Sequence, residues 1–319
     1  MKAFHSKLIL TAILLSCILC FSSCTGRGRS LRLMYWNIQN GMWAGQDDGY
    51  DSFVAYVKEK DPDICVWCEA QSIYKDGTSE KLAAEDRYLV EGWHELAARY
   101  GHSHVFVSGH RDNYPQVITS RYPVNGIARI TGETPDSVVT HGAGWASIDF
   151  NGCHLNVVSL HAWPMKFSFG AKDRNASTAE NGGDRYRRME IEYICRHTIL
   201  SCDGKGYWMM MGDFNSVSRT DNSHYGYPDD DTRFLAQDYI AEETPYIDAI
   251  KALHPDEFKV STASDNRIDY VYCSPALFSK VRHADIIHDA YTSPVRDTTG
   301  RTGFHRPSDH LPVIVDFRF

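Results

Sequence analysis

A short apolar run that ends in a glycine turn lies past the middle of this chain. Residues Tyr207 to Ser216 read YWMMMGDFNS, and the apolar run stops at Gly212. This pattern is typical of a buried strand whose carboxyl edge presents polar groups, and layered α/β proteins build their sites at that edge. Asp213 and Asn215 are two residues apart, so their side chains point the same way on an extended backbone. A carboxylate beside an amide suits a metal-bound phosphate ester, although Gly-Asp-x-Asn is also ordinary turn chemistry.

Other apolar runs are bounded by polar residues in the same way. Taken alone, each such residue is more often a turn or capping residue than a functional one. Their recurrence in one chain instead predicts a shared site. The residues concerned are Asn37, Glu69, His161 and Asp269, at or beside strand runs, and the pair Asp309–His310, which precedes the last predicted strand, Leu311–Phe317.

Strand runs and helix runs interleave without strict alternation. This order favours two packed sheets with outer helices over a single doubly wound sheet. No repeat or linker follows Ser30, so residues 31–319 are predicted to form one domain. The polar stretch 162–183 is long for a plain connection, which indicates a functional loop.

Predicted helices are Asp51–Lys60, Leu82–Tyr100, Asp184–Leu200 and most of Thr232–Leu253. The predicted strands include Leu31–Ile38, Ile64–Cys68, Ile127–Thr131, Trp145–Phe150, His154–His161 and Ile268–Cys273.

The first 23 residues have the features of a secretory signal. Lys2 and Lys7 precede an apolar stretch of about 14 residues, which is too short to span a bilayer. The stretch ends in FSSC, which resembles the lipobox of bacterial lipoproteins. We therefore expect residues 1–23 to be a lipoprotein signal peptide, residues 24–30 to be a polar tether, and Cys24 to carry the lipid that anchors the protein in the bacterial cell envelope. A plain signal cleaved near Ser23 is the alternative.

The chain is acidic. Its formal net charge is −8 at pH 7, and it becomes −10 without residues 1–23, because Lys plus Arg falls from 33 to 31 against 41 Asp plus Glu. A strongly acidic chain is not a general nucleic-acid binder, although a local basic groove would allow a nucleic-acid substrate.

Two cysteines have the CxxC spacing of many metal and redox sites. Cys65 and Cys68 lie in the sequence DICVWCEA, which reads as a strand rather than as the turn before a helix. Packed thiols or a structural disulfide are therefore favoured over a metal or redox site.

Six motifs together resemble the endonuclease/exonuclease/phosphatase superfamily. They are NIQNGMW, ICVWCEAQ, SLHAWP, MGDFNS, RIDYVYCS and PSDHLPV, in the order characteristic of that superfamily. The resemblance covers nearly all of residues 31–319 and implies a four-layer α/β/β/α sandwich of two mostly antiparallel sheets with outer helices. SLHAWP departs from the commoner histidine motif in the Ala-Trp-Pro that follows His161, which leaves the substrate open rather than the chemistry.

The resemblance also implies a metal site and a water-activating carboxylate. Glu69 would be the main ligand of Mg²⁺ or Mn²⁺, with Asn37 and Asp309 nearby, and oxygen ligands of this kind suit those hard cations. Asp213 would orient or deprotonate the attacking water. Asn215 would hold a phosphate oxygen.

Two histidines are implied as contacts of the substrate. His310 would touch the scissile phosphate, and Asp269 would hold its other ring nitrogen and favour the charged form. His161 would be a second phosphate or leaving-group contact. A metal ion and imidazolium groups together would offset the charge of a pentacovalent phosphate.

These residues predict a Mg²⁺-dependent phosphodiesterase or phosphomonoesterase that acts by in-line attack of water, as a monomer. Small phosphoesters, sugar phosphates and phospholipid headgroups fit an acidic, membrane-tethered chain better than DNA does. A secreted nuclease that acts on DNA or RNA is the alternative. A surface-anchored binding lipoprotein without catalysis is a further alternative, but it should lack one of the main catalytic residues. Glu69, Asp213, Asp269 and His310 are all present.

Several further residues are weaker candidates. Arg121 could contact phosphate, but a surface ion pair is the favoured interpretation. Trp163 and Phe167 could form an apolar rim for a substrate or could fold onto the domain surface. Three residues are expected as solvated loop residues rather than pocket residues, namely His141, His305 and Arg306.

Overall fold

The computed structural model describes most of the chain. The described residues are 28–42, 48–70, 90–109, 114–132, 138–175, 181–298 and 304–319. The predicted signal 1–23 and the lipid site Cys24 lie outside them, as does the first part of the predicted helix Leu82–Tyr100. Within the described ranges, no helix is long and apolar enough to cross a membrane.

Two six-stranded sheets form the centre of the fold, and a two-stranded ribbon lies beside them. The strands are β1 (Ser30–Asn37), β2 (Ile64–Cys68), β3 (His104–Ser108), β4 (Gln116–Ser120), β5 (Val124–Ile130), β6 (Ala143–Phe150), β7 (Cys153–His161), β8 (Tyr207–Asp213), β9 (Ile247–Asp248), β10 (Asp269–Cys273), β11 (Val281–Ile286), β12 (Val295–Arg296), β13 (His305–Arg306) and β14 (Val313–Arg318). The first sheet has the order β11-β14-β1-β2-β4-β3, and the second has the order β5-β6-β7-β8-β10-β9. The ribbon pairs β12 with β13.

Each six-stranded sheet contains one parallel pair of strands at its centre. β1 lies parallel to β2, with Asn37 opposite Cys68, and β7 lies parallel to β8, with His161 opposite Asp213. The other neighbouring strands in the two sheets are antiparallel. The carboxyl ends of parallel strands meet at the same edge of a sheet, so each pair delivers its terminal residues to one place.

Helices cover the outer faces of both sheets. The helices are α1 (Asp51–Lys60), α2 (Val90–Arg99), α3 (Gly183–Arg196), α4 (Asn222–Tyr225), α5 (Leu235–Glu243), α6 (Ala249–Leu253) and α7 (Pro275–Phe278), and a helical turn occupies Gln39–Met42. Buried side chains of α1 and α2 pack on the first sheet, and those of α3 and α5 pack on the second. A third cluster fills the space between the sheets. These layers confirm the predicted α/β/β/α sandwich.

Strand β8 shows why a continuous apolar run indicates a central strand. Met209 and Met211 face the layer between the two sheets, whereas Trp208 and Met210 face the outer helices. None of the four is more than 1% exposed. A strand that is buried on both faces has no solvent-facing side, so it lacks the usual alternation of apolar and polar residues.

Prolines account for two differences from the predicted elements. The predicted helical segment 232–253 is broken, because α5 ends at Glu243 and Thr244-Pro245 follows, and the residue before a proline is disfavoured in a helix. The last strand was predicted to begin at Leu311 but begins at Val313. Pro312 has no N–H to donate to the sheet.

The CxxC cysteines are packed thiols. Cys65 and Cys68 lie on β2, are fully buried and form no disulfide, so the disulfide alternative is wrong for this pair. Burial raises the pKa of both thiols well above the ordinary value. They therefore stay protonated and behave as small apolar side chains.

His102 is a buried histidine with a structural role. It is 1% exposed, its Nδ1 lies 2.9 Å from Thr119 Oγ1, and its Nε2 lies 2.9 Å from the Pro62 carbonyl oxygen. A neutral ring satisfies both contacts, because Nε2–H donates to the carbonyl and Nδ1 accepts from the hydroxyl. Burial lowers the pKa of His102 from 6.5 to about 4.

We expect acid to destabilise the protein through His102. Its pKa is lower in the folded state, so the unfolded chain alone binds a proton as the pH falls below 6.5, and stability is lost progressively down to pH 4. The gap corresponds to roughly 3 kcal/mol. Denaturant unfolding of His102→Gln, from neutral pH to pH 4, should show a smaller loss of stability than the wild type. His104→Gln, on β3, is the matched control. If His102→Gln loses as much stability as the wild type between neutral pH and pH 4, His102 is not the cause of the acid sensitivity.

Candidate active site

Polar side chains from the two sheets meet between the strand ends. The amide nitrogen of Asn37, at the end of β1, lies 3.3 Å from Glu69 Oε1 and 3.2 Å from Asp213 Oδ2. His161 Nε2, at the end of β7, lies 3.9 Å from Glu69 Oε1 and 3.7 Å from Asp213 Oδ2. Four residues that the sequence singles out therefore share one cluster.

A left-handed turn holds Glu69 in place. Its φ is +53°, its Oε2 accepts the Asn40 N–H at 3.0 Å, and its carbonyl oxygen accepts the Gly41 N–H at 2.7 Å. Asn40 and Gly41 are themselves left-handed within the turn that follows β1. Non-glycine residues seldom adopt this backbone, and such strain concentrates at functional sites.

The carboxylates form a donor set that fits a hard divalent cation. Glu69, His161 and Asp213 each offer a ligand atom, and these atoms lie within 4.8 Å of one another. Asp309 lines the same cleft. Burial, together with the charge of Asp309, raises the pKa of Glu69, and burial raises the pKa of Asp213 to about 8. Carboxylates crowded in this way are stabilised in their charged form by a cation such as Mg²⁺ or Mn²⁺.

Asn37 differs from the other predicted metal residues. Its amide oxygen accepts the Gln39 N–H at 3.1 Å, and its nitrogen faces the carboxylates. In this orientation Asn37 orients Glu69 and Asp213 through hydrogen bonds, and its role as a metal ligand stays a prediction.

A buried carboxylate holds His310. Asp269 Oδ2 lies 2.8 Å from His310 Nδ1. The Tyr35 hydroxyl donates to Asp269 Oδ1 at 2.8 Å, and the Ser261 hydroxyl donates to Oδ2 at 2.7 Å. The neighbouring Arg267 does not pair with Asp269, because its guanidinium binds two other carboxylates. These belong to Asp221 and Asp248.

The two histidines of the cluster differ in charge. Burial opposes the charged form of His310, but the carboxylates of Asp269 and Asp213 outweigh it and raise the pKa of His310 well above its ordinary value. Burial, with His141 and His310 nearby, lowers the pKa of His161 well below the ordinary value. His310 is therefore an imidazolium at neutral pH, and His161 is a neutral ring.

The turn after β8 positions Asp213 and Asn215. A Cβ at Gly212 would lie 2.1 Å from the Leu160 carbonyl oxygen, so only glycine allows β8 to approach β7 this closely. Asp213 Oδ1 accepts the Asn215 N–H at 2.9 Å, and the Asn215 amide nitrogen donates to the Ala162 carbonyl at 3.0 Å. An amide nitrogen carries two hydrogens, so the second can reach a ligand.

The cluster lines a cleft of about 520 Å³. Aromatic and apolar side chains also line this cleft. They are Tyr114, His141, Trp163, Pro164, Met165 and Phe304.

His141 corrects one expectation from the sequence. It is 3% exposed and lines the cleft, so the prediction of a solvated loop residue is wrong. The reason is ring packing: His141 stacks on His161 with ring centres 4.5 Å apart, and the edge of Tyr114 meets it at 4.9 Å. Trp163 also lines the cleft, with the ring of Phe167 6.0 Å away.

The remaining weaker candidates are not among the described residues that line the cleft. Arg121 forms ion pairs with Asp61 and Asp63, which confirms the surface interpretation. His305 is half-buried, and its backbone N–H donates to Gln39 Oε1 at 2.8 Å. Arg306 is exposed and lines a separate pocket of about 360 Å³.

A buried row on α3 holds the loop that carries Trp163, and sequence reasoning missed it. Glu190 accepts the Trp163 N–H at 2.7 Å and the Thr140 N–H and O–H at 2.9 and 2.7 Å. Arg187 donates to the carbonyls of Trp163 and Met165, at 2.8 and 3.1 Å. Burial raises the pKa of Glu190 to about 7, and the hydrogen bonds from Thr140 and Trp163 oppose that rise. Arg187 and Glu190 are three residues apart and therefore lie on one helix face. This spacing was a sequence signal that the two side chains act together.

Tyr35 and Ser261 were also missed as partners of Asp269. Tyr35 lies two residues before Asn37 on β1, so strand alternation places both side chains on one face. Ser261 lies in an irregular segment, and no pattern in the sequence marks it.

Comparison with known proteins agrees with this geometry. The sequence model of the Endonuclease/Exonuclease/phosphatase family matches residues 34–310. No curated protein matches the chain.

Solved structures share the fold at low identity. A 3′-5′ exonuclease from Neisseria meningitidis has a TM-score of 0.60 at 16% identity, with 90% of this chain and 99% of that chain covered. An AP endonuclease from Archaeoglobus fulgidus has a TM-score of 0.57 at 17% identity, with 90% and 99% covered. An endonuclease/exonuclease/phosphatase family protein from Bacteroides thetaiotaomicron has a TM-score of 0.56 at 14% identity, with 92% and 99% covered.

Proposed function

The chain belongs to the endonuclease/exonuclease/phosphatase family, and we propose that it is a Mg²⁺-dependent hydrolase of small phosphoesters. Members of this family are metal-dependent hydrolases of phosphoric esters, and this class of activity applies to the chain. The observation that carries the proposal is the contact of Asp269 with His310, whose Nε2 lies 3.7 Å from Asp213 Oδ2. An imidazolium beside a carboxylate supports hydrolysis of an anionic ester by water.

Three carboxylates would prepare the attack. Mg²⁺ held by Glu69 and Asp309 would supply positive charge beside the phosphate. Asp213 would align the attacking water and accept its proton. Its raised pKa makes it a stronger base than an ordinary carboxylate, and the cation would lower that pKa toward neutrality or below.

Three side chains would contact the ester itself. His310 would donate from Nε2–H to a phosphate oxygen, because Asp269 occupies Nδ1 and keeps the ring charged. Asn215 would donate its second amide hydrogen to another phosphate oxygen. His161, as a neutral ring, would contact the phosphate or the leaving group without adding charge.

The charges around the cleft support a small substrate. Its fourteen described lining residues include Glu69, Asp213 and Asp309 but no Lys or Arg. A polyanion needs cationic contacts along its backbone. We therefore place small phosphoesters, sugar phosphates and phospholipid headgroups ahead of nucleic acid. A nuclease is the second candidate, because the structures that this chain resembles include an AP endonuclease and a 3′-5′ exonuclease.

A substrate panel tests the proposed function. The purified protein is assayed with Mg²⁺ or Mn²⁺ against bis-p-nitrophenyl phosphate, sphingomyelin, inositol phosphates and plasmid DNA. We expect hydrolysis of a small phosphoester that excess EDTA abolishes. Cleavage of plasmid DNA alone would favour the nuclease, and inactivity on the whole panel with either metal would refute the proposal.

We also propose that the enzyme is anchored in the cell envelope through a lipid on Cys24. The support is the signal-like start and the FSSC sequence, both of which lie outside the described residues. Cys24→Ala should release the protein from membranes, because the anchor would be lipid and not a helix. Cell fractionation checks this. A variant that still sediments with membranes after a high-salt wash would contradict the anchor.

A further inference from the structure

A row of stacked rings leads from the phosphate-side histidine to the rim of the cleft. The rings of His161 and His141 are 4.5 Å apart and tilted by 17°. The ring of Trp163 continues the row, with its centre 6.1 Å from that of His141 and a tilt of 28°. An ester bound at His161 therefore has an aromatic surface directly beside it.

The rim beyond Trp163 is also apolar and partly open to solvent. Phe169 meets the Trp163 ring at 5.3 Å, and Tyr186 meets both rings at 6.4 Å. Phe169 is 55% exposed, and Met165, which lines the cleft, is 45% exposed. A contiguous apolar rim next to a site indicates a binding surface rather than a scattered set of exposed residues.

This rim is held rigidly by α3. Glu190 and Arg187 bind the N–H and the carbonyl of Trp163, as described above. The Gly183 N–H donates to the Lys166 carbonyl at 2.8 Å, and a Cβ at Gly183 would lie 1.8 Å from the Met165 carbonyl oxygen. The backbone that carries Trp163 is therefore fixed at both of its polar groups, and the ring needs little ordering when a ligand binds.

The charges of the cleft limit what this surface can accept. Among the described residues, this lining includes the carboxylates of Glu69, Asp213 and Asp309 and no Lys or Arg. Within that described lining, a second phosphate would meet carboxylates, amides and aromatic rings. An uncharged ring finds stacking partners instead.

We propose that the surface formed by His141, Trp163 and Met165 accepts an uncharged aromatic group of the substrate ester, and that Glu190 positions Trp163 for this contact. The inference rests on the proposed phosphoesterase function and names its substrate class: esters with one phosphoryl group and an aromatic substituent.

Matched substrates test the preference for an aromatic substituent, because the ester bonds being compared have similar intrinsic reactivity. The substrates are ethyl phosphate and 2-(2-naphthyl)ethyl phosphate, together with the methyl diester of each. In both members of a pair the ethyl or naphthylethyl group leaves as a primary alkoxide. One of the two pairs, the monoesters or the diesters, should be hydrolysed. Within that pair we expect kcat/KM to be about tenfold or more higher for the naphthyl ester than for the ethyl ester, because the naphthyl ring is buried in the cleft. Equal values, or a higher value for inositol 1,4,5-trisphosphate, would overturn the inference while the phosphoesterase function stands.

Variants assign the preference to the proposed residues. Trp163→Ala should abolish this preference mainly by raising KM for the naphthyl ester, and Trp163→Phe should retain part of it. Glu190→Gln should weaken the preference by releasing one hydrogen bond to the loop. Glu192→Gln, on the same helix and paired with Arg188 and Arg196, is the matched control. An equal loss on both esters in Trp163→Phe would overturn the assignment.

A binding measurement tests the aromatic surface separately from the proposed phosphoesterase activity. 2-(2-Naphthyl)ethylphosphonate and ethylphosphonate have no scissile ester bond, so calorimetry with Mg²⁺ reads the contact without turnover. Tighter binding of the naphthyl compound that is lost in Trp163→Ala supports the surface even if no ester is hydrolysed. Equal binding of the two compounds overturns it.

Discussion

Asp269→Asn is expected to lower kcat by roughly 100-fold or more while leaving the protein folded. The carboxylate accepts hydrogen bonds from Tyr35 and Ser261 and holds His310 Nδ1 at 2.8 Å. An amide removes the charge that keeps the ring protonated. Burial is then opposed only by Asp213 and Asp309, so the pKa of His310 falls and less of the ring is charged. Residual activity should therefore rise as the pH is lowered, and a kcat profile against pH measures this.

The pair should behave as one unit. His310→Ala should be at least as damaging as Asp269→Asn, and the double variant should be little worse than the worse single variant. Thermal melting checks that each variant folds. Asp265→Asn, an exposed aspartate in the same region, is the control and should keep full activity. Effects that multiply in the double variant would show that the two residues act independently.

Glu69→Gln is expected to weaken the use of metal by orders of magnitude. Glu69 is a half-buried carboxylate that follows a central parallel strand pair, and a hard cation prefers charged oxygen ligands. The amide keeps the size of the side chain and can still meet the Asn40 N–H, so the fold should survive. Activity at increasing Mg²⁺ and direct Mn²⁺ binding by calorimetry both measure the effect.

Asp309→Asn provides a graded comparison for the metal site. Its side chain is 34% exposed, so solvent can replace part of its contribution and the loss should be smaller. Metal binding by Glu69→Gln that equals the wild type would contradict the assignment, and so would full wild-type activity in excess EDTA.

Strand ends are the part of this site that sequence can predict. Apolar runs that stop at Asn37, Glu69, His161 and Asp213 indicate strands, and two parallel pairs bring these ends together. The sandwich follows from the same runs, because strands buried on both faces must lie inside layers of other elements. The contact of Asp269 with His310 needed the family resemblance, since 41 residues separate them.

The environment of each side chain is the part that sequence cannot predict. His141 is buried only because Tyr114 and His161 pack on it, and those rings come from other elements. Tyr35 reaches Asp269 across 234 residues of sequence. The spacing of Arg187 and Glu190 marks a shared helix face, but it does not identify Thr140 and Trp163 as the partners of Glu190. Such contacts depend on how the helices and strands pack against one another, and local sequence propensity carries no information about that packing.

The hydrogen bonds of the site also cross from one sheet to the other. Tyr35 and Asn37 belong to β1 in the first sheet, whereas their partners Asp269 and Asp213 belong to β10 and β8 in the second. The apolar side chains between the sheets tolerate small rotations and slips, but these directional bonds do not. These hydrogen bonds therefore restrict the angle at which the two sheets dock. The alignment of the site residues is therefore coupled to the docking of the two sheets, so a change in the docking angle would also displace these residues.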